Sequence, residues 1–439
     1  MSLIVNGIEI TSLIFNDTEL EKLIYNNTVV WEKTILDMDA IAALLVDFDY
    51  TVEGNTIKIT KWKDTLNGEP STICSVPDNS SILIYNSWYR WYSNNMTDIT
   101  IPNSVSLYDG SIYDWFRNMP YLRNVNFNHP SIVNMCNAYS NCQNLISPPT
   151  CGDNVVDMEN AYYNCYNLTG APVCGKNVIN MRNTYANCHN LTGSAACGDK
   201  VTIMSNTYEN CYNITTAVCG NSVATMYYTY KNCYKLTTPV CGNNVTNMYG
   251  TYQNCYNITT AVCGDNVDTM YYTYKSCRNI TDAVCGNNVT NMRGAYQDCN
   301  SLRTVACGNN VIDMSYAYDN SGIYRTSVVI GNNVSNMCCT FMNSNPTGNM
   351  YVYSNNVANA QNCFVGRKLD TTLNIYVPTN STTYQTFANS SIFGQNIYWK
   401  SSNNGYLYCN TYFDLVEPHN TFYLYPVENI SAARLANGD

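Results

Sequence analysis

Charge is scarce in this 439-residue chain, in which Asp, Glu, Lys and Arg together make up only 12%. The formal net charge is -10, and neither a basic stripe nor a polybasic segment is present. Nucleic acid and anionic membranes are therefore not expected as partners. Histidine is scarcer still: the three, His129, His189 and His419, lie far apart. No Ser-His-Asp arrangement, Cys-x-x-Cys, phosphate loop or His-Glu-x-x-His accompanies them, so hydrolytic and metal-dependent chemistry lack their usual markers. The paired carboxylates of a glycan-degrading enzyme are not evident in so acid-poor a sequence. No enzymatic activity, metal or cofactor is expected. Apolar runs are short, the longest being Ala40 to Val46, against the roughly 20 residues a membrane helix needs. Met1 to Ile8 lacks a basic region leading into a long apolar run, so neither a secretory signal nor membrane insertion is expected.

What is there is neutral polarity and aromatic surface. The chain is 45% hydrophobic and 13% aromatic, with 39 tyrosines and 22 cysteines; a disordered chain would be charge-rich and aromatic-poor. Cys-Gly recurs at Cys151, Cys174, Cys197, Cys219, Cys241, Cys263, Cys285 and Cys307, a period of about 22 to 23 residues that falls in the range of leucine-rich-repeat solenoids. Each repeat has two halves. In Val245, Met248, Thr251, Tyr252 and Cys255 the spacing is i, i+3, i+4, i+7, which predicts one face of a short helix or helical turn. Ile258 to Gly264 predicts a short strand with Ile258, Ala261 and Cys263 inward and Thr259, Thr260 and Val262 outward. Met248, Tyr252, Cys255, Ile258 and Cys263 are thus the expected core. One such repeat cannot bury its apolar side alone, so neighbours must stack.

A second column runs through Met96, Met119, Cys142, Cys165, Cys188, Cys211, Cys233, Cys255, Cys277, Cys299, Ser321, Ser344 and Arg367. Because it accepts Met and Ser, it reads as filled for volume, and a metal ligand would not be exchanged that way. Stacked strands set equivalent side chains about 4.8 Å apart, too far for the about 3.8 Å between Cβ atoms of a disulfide. Buried, reduced thiols are expected within each column, with bonds between columns left open. The Asn-Val-Thr and Asn-Ile-Thr triplets match the glycosylation sequon, but turn-forming, stacked asparagines account for them.

Asn244 to Ile258, with its Asn-Val-Thr-Asn-Met-x-x-x-Tyr-x-x-Cys-x-x-Ile pattern, Ile101 to Val105 and Ile375 to Tyr384 resemble the BspA-like bacterial leucine-rich repeats. Thr51 to Pro77 is similar to their first coil, and Cys-Gly stands where that family commonly has Ile-Pro. The resemblance implies a right-handed solenoid of short strands and short helical turns over residues 48–378. Residues 34–47 read as a linker or helical cap, and residues 379–439 as a β-rich C-terminal cap. Residues 1–33 carry a shorter period, with Leu3, Leu13 and Leu23 each opening an apolar run that ends in a turn dipeptide. They predict a small β meander, and Val5 to Lys33 resembles N-terminal segments of bacteriophage tail and virion proteins.

With no chemistry in view, the surface is the candidate. Tyr227, Tyr228, Tyr249, Tyr271 and Tyr272 follow the core Met, and Tyr166, Tyr212, Tyr234 and Tyr256 follow the core Cys, with Thr215, Thr237 and Thr259 on the strand half. Such rows suit sugar rings; equally, adjacent coils can stack these rings on one another. Two functions follow. One is a phage virion component, in which residues 1–33 bind other virion proteins and the solenoid binds a host-surface glycan or protein. The other is a bacterial cell-surface adhesin or interaction protein. Self-association is compatible with either.

Overall fold

The computed structural model describes residues 95–147, 151–323, 327–366, 371–393 and 418–437 continuously, with shorter described runs before residue 95 and between residues 400 and 412. Parallel bridges join Ser111 to Asn134, Asn134 to Asp157 and so on, without a break, to Asn336 and Asn359. The chain is a β-solenoid whose coils are one repeat each.

The first half of each coil is not helical. Val245, Thr251, Cys255 and Ile258 donate their N–H groups to Gly242, Met248, Tyr252 and Cys255 at 3.0–3.3 Å, which closes a run of i→i+3 turns. Gly250 (φ 58) and Asn254 (φ 63) sit in the left-handed region, which no right-handed helix tolerates and which Gly and Asn enter most cheaply. The helix-like apolar spacing therefore records successive tight turns. The N–H groups of Met248, Gly250, Tyr252 and Asn254 point along the solenoid instead, donating to Thr269, Tyr271, Thr273 and Lys275 of the next coil at 2.8–3.0 Å. An asparagine ladder backs the left-handed corner: each amide donates to the previous one at 2.6–2.8 Å, from Asn141 on Asn118 to Asn254 on Asn232.

The strand half is sparser than the expected sheet. In the central coils the described strands are Thr192–Ser194 and Asn213–Thr216. Elsewhere a tyrosine hydroxyl replaces the ladder. Tyr274 donates to the Val262 carbonyl at 2.6 Å and accepts from the Val262 N–H at 2.8 Å, and Tyr185 does the same for Val173. One phenol thus satisfies both backbone groups of the residue twelve positions earlier, groups that could not be left buried and unpaired. Where the column changes to Phe341 and Phe364, the residues twelve earlier, Val329 and Val352, lie in paired strands.

The core is built of columns. Tyr139, Tyr162, Tyr185, Tyr208, Tyr230, Tyr252, Tyr274, Tyr296 and Tyr318 are fully buried and stack at 5.2–5.7 Å. The stack continues into Phe116, beside Trp115 and Phe127, at one end. At the other it continues through Phe341 and Phe364 to Phe387, Phe393 and Phe422.

Sheet flanks the array at both ends, and at the C-terminal end the helix Thr382–Ala388 and the 3-10 turn Ser390–Phe393 also meet the last coil, whose Asn362 and Phe364 N–H groups donate to the Ser391 and Ile392 carbonyls at 2.8 and 3.0 Å. Phe48–Glu53 pairs antiparallel with Thr56–Trp62, which pairs in parallel with Ile82–Ile84, so the stretch expected as a first coil opens as a hairpin. At the far end Val328–Ile330, Gly348–Val352 and Thr371–Pro378 run in parallel into Pro418–Val427, then antiparallel to Leu407–Tyr412 and Lys400–Ser401. The C-terminal residues thereby extend the solenoid's own sheet. In residues 1–33, strands Leu3–Val5 with Ile8–Ile10, Leu13–Phe15 with Thr18–Leu20, and Lys22–Tyr25 with Thr28–Glu32 form separate hairpins. Among the described residues no pairing links one hairpin to the next, so the expected meander of hairpins is present as three separate pairs. Apart from Leu44 and Leu45, the helical cap expected at residues 34–47 lies outside the described residues, as does Arg367. Among the described residues, no helix is long and apolar enough to cross a membrane.

Candidate functional site

Met248, Tyr252, Cys255 and Ile258 are buried without exposure. Cys263, expected with them, is half-buried and packs on the core's rim. The reason lies in its neighbour. A Cβ on Gly286 would stand 2.9 Å from the Cys263 Sγ, and one on Gly242 would stand 2.8 Å from that of Cys219. The thiol of one coil, together with the carbonyl of the glycine beside it, fills the space above the glycine of the next, so Cys and Gly recur as a pair. Fully buried thiols behave differently: Cys255 donates to the Tyr230 carbonyl at 3.0 Å and Cys277 to that of Tyr252 at 2.9 Å. Ser321 donates to Tyr296 in the same way at 2.6 Å. From Cys142 to Ser344 that column holds a small donor, and only at its N-terminal end does Met96 or Met119 fill the volume alone. All described cysteines are free, and burial pushes the thiols of Cys142, Cys197 and Cys263 up to about 12.

The surface residues fall into three rows. In the first, Tyr166, His189, Tyr212, Tyr234 and Tyr256 stack face to face at 4.6–5.1 Å, and the Arg278 guanidinium lies 5.0 Å over Tyr256. These rings cover one another, so the interior of this row offers edges and hydroxyls and no free face for a sugar. His189, a partly buried member of the stack, has its pKa lowered by burial, which favours the neutral ring. In the second row, Thr215, Thr237 and Thr259 are exposed. The hydroxyls of Thr215 and Thr237 donate to the carbonyls of Gly193 and Thr215 at 3.1 and 3.2 Å.

The third row is different. Tyr227, Tyr228, Tyr249, Tyr271 and Tyr272 form a cluster of mixed geometry: Tyr227 stacks on Tyr249 at 4.9 Å, but Tyr228 meets Tyr249 at 78° and Tyr249 meets Tyr271 at 87°. Glycine makes room for it. A Cβ on Gly250 would lie 2.2 Å from the Tyr228 ring, and one on Gly294 would lie 2.3 Å from Tyr272. Three cations join the rings, with Lys231 4.4 Å over Tyr228, Lys275 4.7 Å over Tyr272 and exposed Arg293 between Tyr271 and Tyr316. Lys231 also pairs with Glu209 at 2.9 Å. A hydrogen bond with Tyr228, with burial adding to it, pushes Tyr249 up to about 12; burial and a hydrogen bond with Tyr272 raise Tyr271. Both phenols are therefore neutral donors near pH 7. Reading the tyrosines alone missed the cations, although Arg293 occupies the Tyr249 and Tyr271 position of its own coil. Among the described residues, no group of three His, Cys, Asp or Glu side chains is placed to hold a metal ion.

The BspA type leucine rich repeat region matches this chain in 6 copies, over residues 82–215, 158–274, 201–324 and 269–394, which together span well over half its length. The chain belongs to this BspA-type family. Similar solved structures include a leucine-rich repeat protein of Bacteroides ovatus, at 14% identity, covering 80% of this chain and 96% of that one with a TM-score of 0.47. A leucine rich cell surface protein of Faecalibacterium prausnitzii is 13% identical, with coverage of 82% and 94% and a TM-score of 0.39. The pneumococcal vaccine antigen PcpA is 13% identical, with coverage of 79% and 96% and a TM-score of 0.42. No curated protein matches. The BspA-type match begins at residue 82, and nothing found supports the phage likeness expected of residues 1–33 or a virion role. The family matched is a repeat family, and no catalytic family is indicated.

Proposed function

We propose that this BspA-type chain is a bacterial surface protein for adhesion or interaction, and that its binding site is the cluster of Tyr227, Tyr228, Tyr249, Tyr271 and Tyr272 with Lys231, Lys275 and Arg293. The observation that carries this reading is the cluster itself. Three cations gather on aromatic rings in a chain of net charge -10, and neutral phenols stand beside them. Such a surface suits a glycan with acidic groups, whose hydroxyls meet the phenols and whose carboxylates or sulfates meet Lys275 and Arg293. Successive coils repeat the contact, so weak sites add along a polymer. The three N-terminal hairpins are each too short to be stable alone, which fits attachment to another surface or chain.

The test uses the full chain on immobilised acidic and neutral polysaccharides and on bacterial envelope fractions. Tyr249→Ala with Arg293→Ala should weaken binding at least about tenfold, while Tyr234→Ala in the closed stack should leave it within about twofold. Binding to envelope protein alone would transfer the site to a protein partner. Equal binding by the cluster variant and the parent would remove the cluster from the function.

A further inference from the structure

One coil carries two thiols side by side. Cys338 and Cys339 follow core Met337, in the positions that Tyr227 and Tyr228, Tyr271 and Tyr272, and Ser315 and Tyr316 hold elsewhere. Their Sγ atoms are 3.5 Å apart. Cys339 has φ 56, the left-handed corner that Asn206 and Asn362 occupy in their own coils. The backbone around them is held on both sides: Thr340 N–H donates to the Met337 carbonyl at 3.1 Å, and Cys338 N–H to the Asn336 Oδ1 at 3.1 Å. The column thiols are engaged otherwise, Cys255 with a carbonyl at 3.0 Å and Cys197 with the Gly220 N–H at 3.2 Å. Cys338 is only half-buried, and Cys339, at 4% exposure, is hydrogen-bonded to Tyr316. Burial and the neighbouring Cys339 keep Cys338 a protonated thiol near pH 7, while Arg293, which stacks on Tyr316 at 5.8 Å, and Asp313 act on it in opposite directions.

We propose that Cys338 and Cys339 are a redox-active vicinal dithiol that closes to an internal disulfide on reaction with a small-molecule disulfide. The more exposed Cys338, as thiolate, attacks one sulfur of R–S–S–R, giving a mixed disulfide and releasing the first R–S⁻. Cys339 then loses its proton and attacks the Cys338 sulfur, forming the Cys338–Cys339 bond and releasing the second R–S⁻. The two protein protons end on two R–SH, so two thiols are oxidised and one disulfide reduced. Burial pushes Cys338 up to about 11, so the reaction accelerates as pH rises from 7 toward that value. The pair lies beside Tyr316 and Arg293, at the C-terminal end of the tyrosine cluster, and its chemistry is independent of what that cluster binds.

The full chain is incubated with oxidised glutathione at pH 8, unfolded, alkylated without reductant and mapped by mass spectrometry. The peptide holding Cys338 and Cys339 should become two hydrogens lighter and unlabelled, at least about tenfold faster than any column thiol reacts. Cys338→Ser and Cys339→Asn place residues that neighbouring coils already carry there (Ser315, Asn362), so the fold should persist. Each should stop at a mixed disulfide or fail to react, without the internal bond. Phenylarsine oxide should bind the parent at one equivalent, resist glutathione and be removed by a dithiol; both variants should lose this capture. The proposal is overturned if both cysteines stay alkylated while column thiols oxidise, if each ends as a separate mixed disulfide, or if arsenical capture survives in the variants.

Discussion

At the residue scale, the columns were legible because burial repeats with the sequence, whereas each side chain's partner was not. Nothing in the spacing of Tyr252 says that its hydroxyl meets the Val240 backbone twelve residues earlier, because that contact depends on how one coil folds back on itself. The consequence is measurable. Tyr252→Phe keeps the ring in its stack but leaves the Val240 N–H and C=O without the phenol, and should cost about 1–3 kcal/mol in urea unfolding. Cys255→Ser should cost no more than about 1 kcal/mol, since the hydroxyl inherits the Tyr230 carbonyl as Ser321 uses that of Tyr296. Equal losses in the two would contradict these assignments. The thiols also set a pH limit. Burial raises Cys142, Cys151, Cys197 and Cys263 from 9.0 to about 12. Their stabilising contribution is complete below the unfolded value and declines as pH rises from about 9 to 12, because only the unfolded chain ionises there. Each such thiol should remove about 1.4 kcal/mol per pH unit. Urea midpoints in reductant should therefore be flat from pH 7 to 8.5 and fall steeply by pH 10; a flat profile to pH 10 would refute the buried, protonated state.

At the scale of the coil, the sequence left two forms open. Apolar residues at i, i+3, i+4, i+7 predict a short helix or helical turn, and the coil takes the turn: i→i+3 turns with left-handed corners at Gly250 and Asn254 give the same inward spacing. The sign of φ decides between the two, and Gly and Asn in register are its only trace in the sequence. The same holds for Cys-Gly, whose glycine exists because the preceding coil's thiol and glycine carbonyl fill its Cβ space. The candidate site was half legible: its tyrosines were visible as a row, but their mixed packing and the three cations came from geometry. The Cys-Gly relation predicts a coupled pair of substitutions. Gly242→Ala brings a Cβ to 2.8 Å from the Cys219 Sγ and 3.2 Å from the Gly220 carbonyl, and should destabilise by about 1–3 kcal/mol. Cys219→Ala removes the nearer atom, so the double variant should recover part of that loss, with a coupling of at least about 0.5 kcal/mol. Strict additivity in melting experiments would place the Cys219 thiol elsewhere.

Across the whole molecule, the N–H groups of alternate turn residues, Met248 to Asn254 and their equivalents, run one way to the next coil, so the array needs an ending that accepts them and hides its last apolar column. The two ends are closed differently. At the N-terminal side the hairpin Phe48–Glu53 with Thr56–Trp62 flanks Ile82–Ile84. At the C-terminal side Phe364 meets Phe387, Phe393 and Phe422, while Pro418–Val427 pairs with all eight residues of Thr371–Pro378. Leu373, Ile375 and Val377 on that strand and Phe422 and Leu424 on its partner are all buried without exposure. Removing residues 396–439 would therefore uncover a long, apolar, unpaired strand edge, which invites pairing with another chain. In light scattering after size-exclusion chromatography the truncated protein should form larger assemblies than the full chain at equal concentration and unfold at lower urea. Deleting residues 1–33 should leave the unfolding free energy from urea titration within about 0.5 kcal/mol of the parent, because no described strand of the three hairpins pairs with the solenoid's sheets. A C-terminal truncation with the parent's size and stability would mean that the solenoid ends at Thr371–Pro378 without its partner strand.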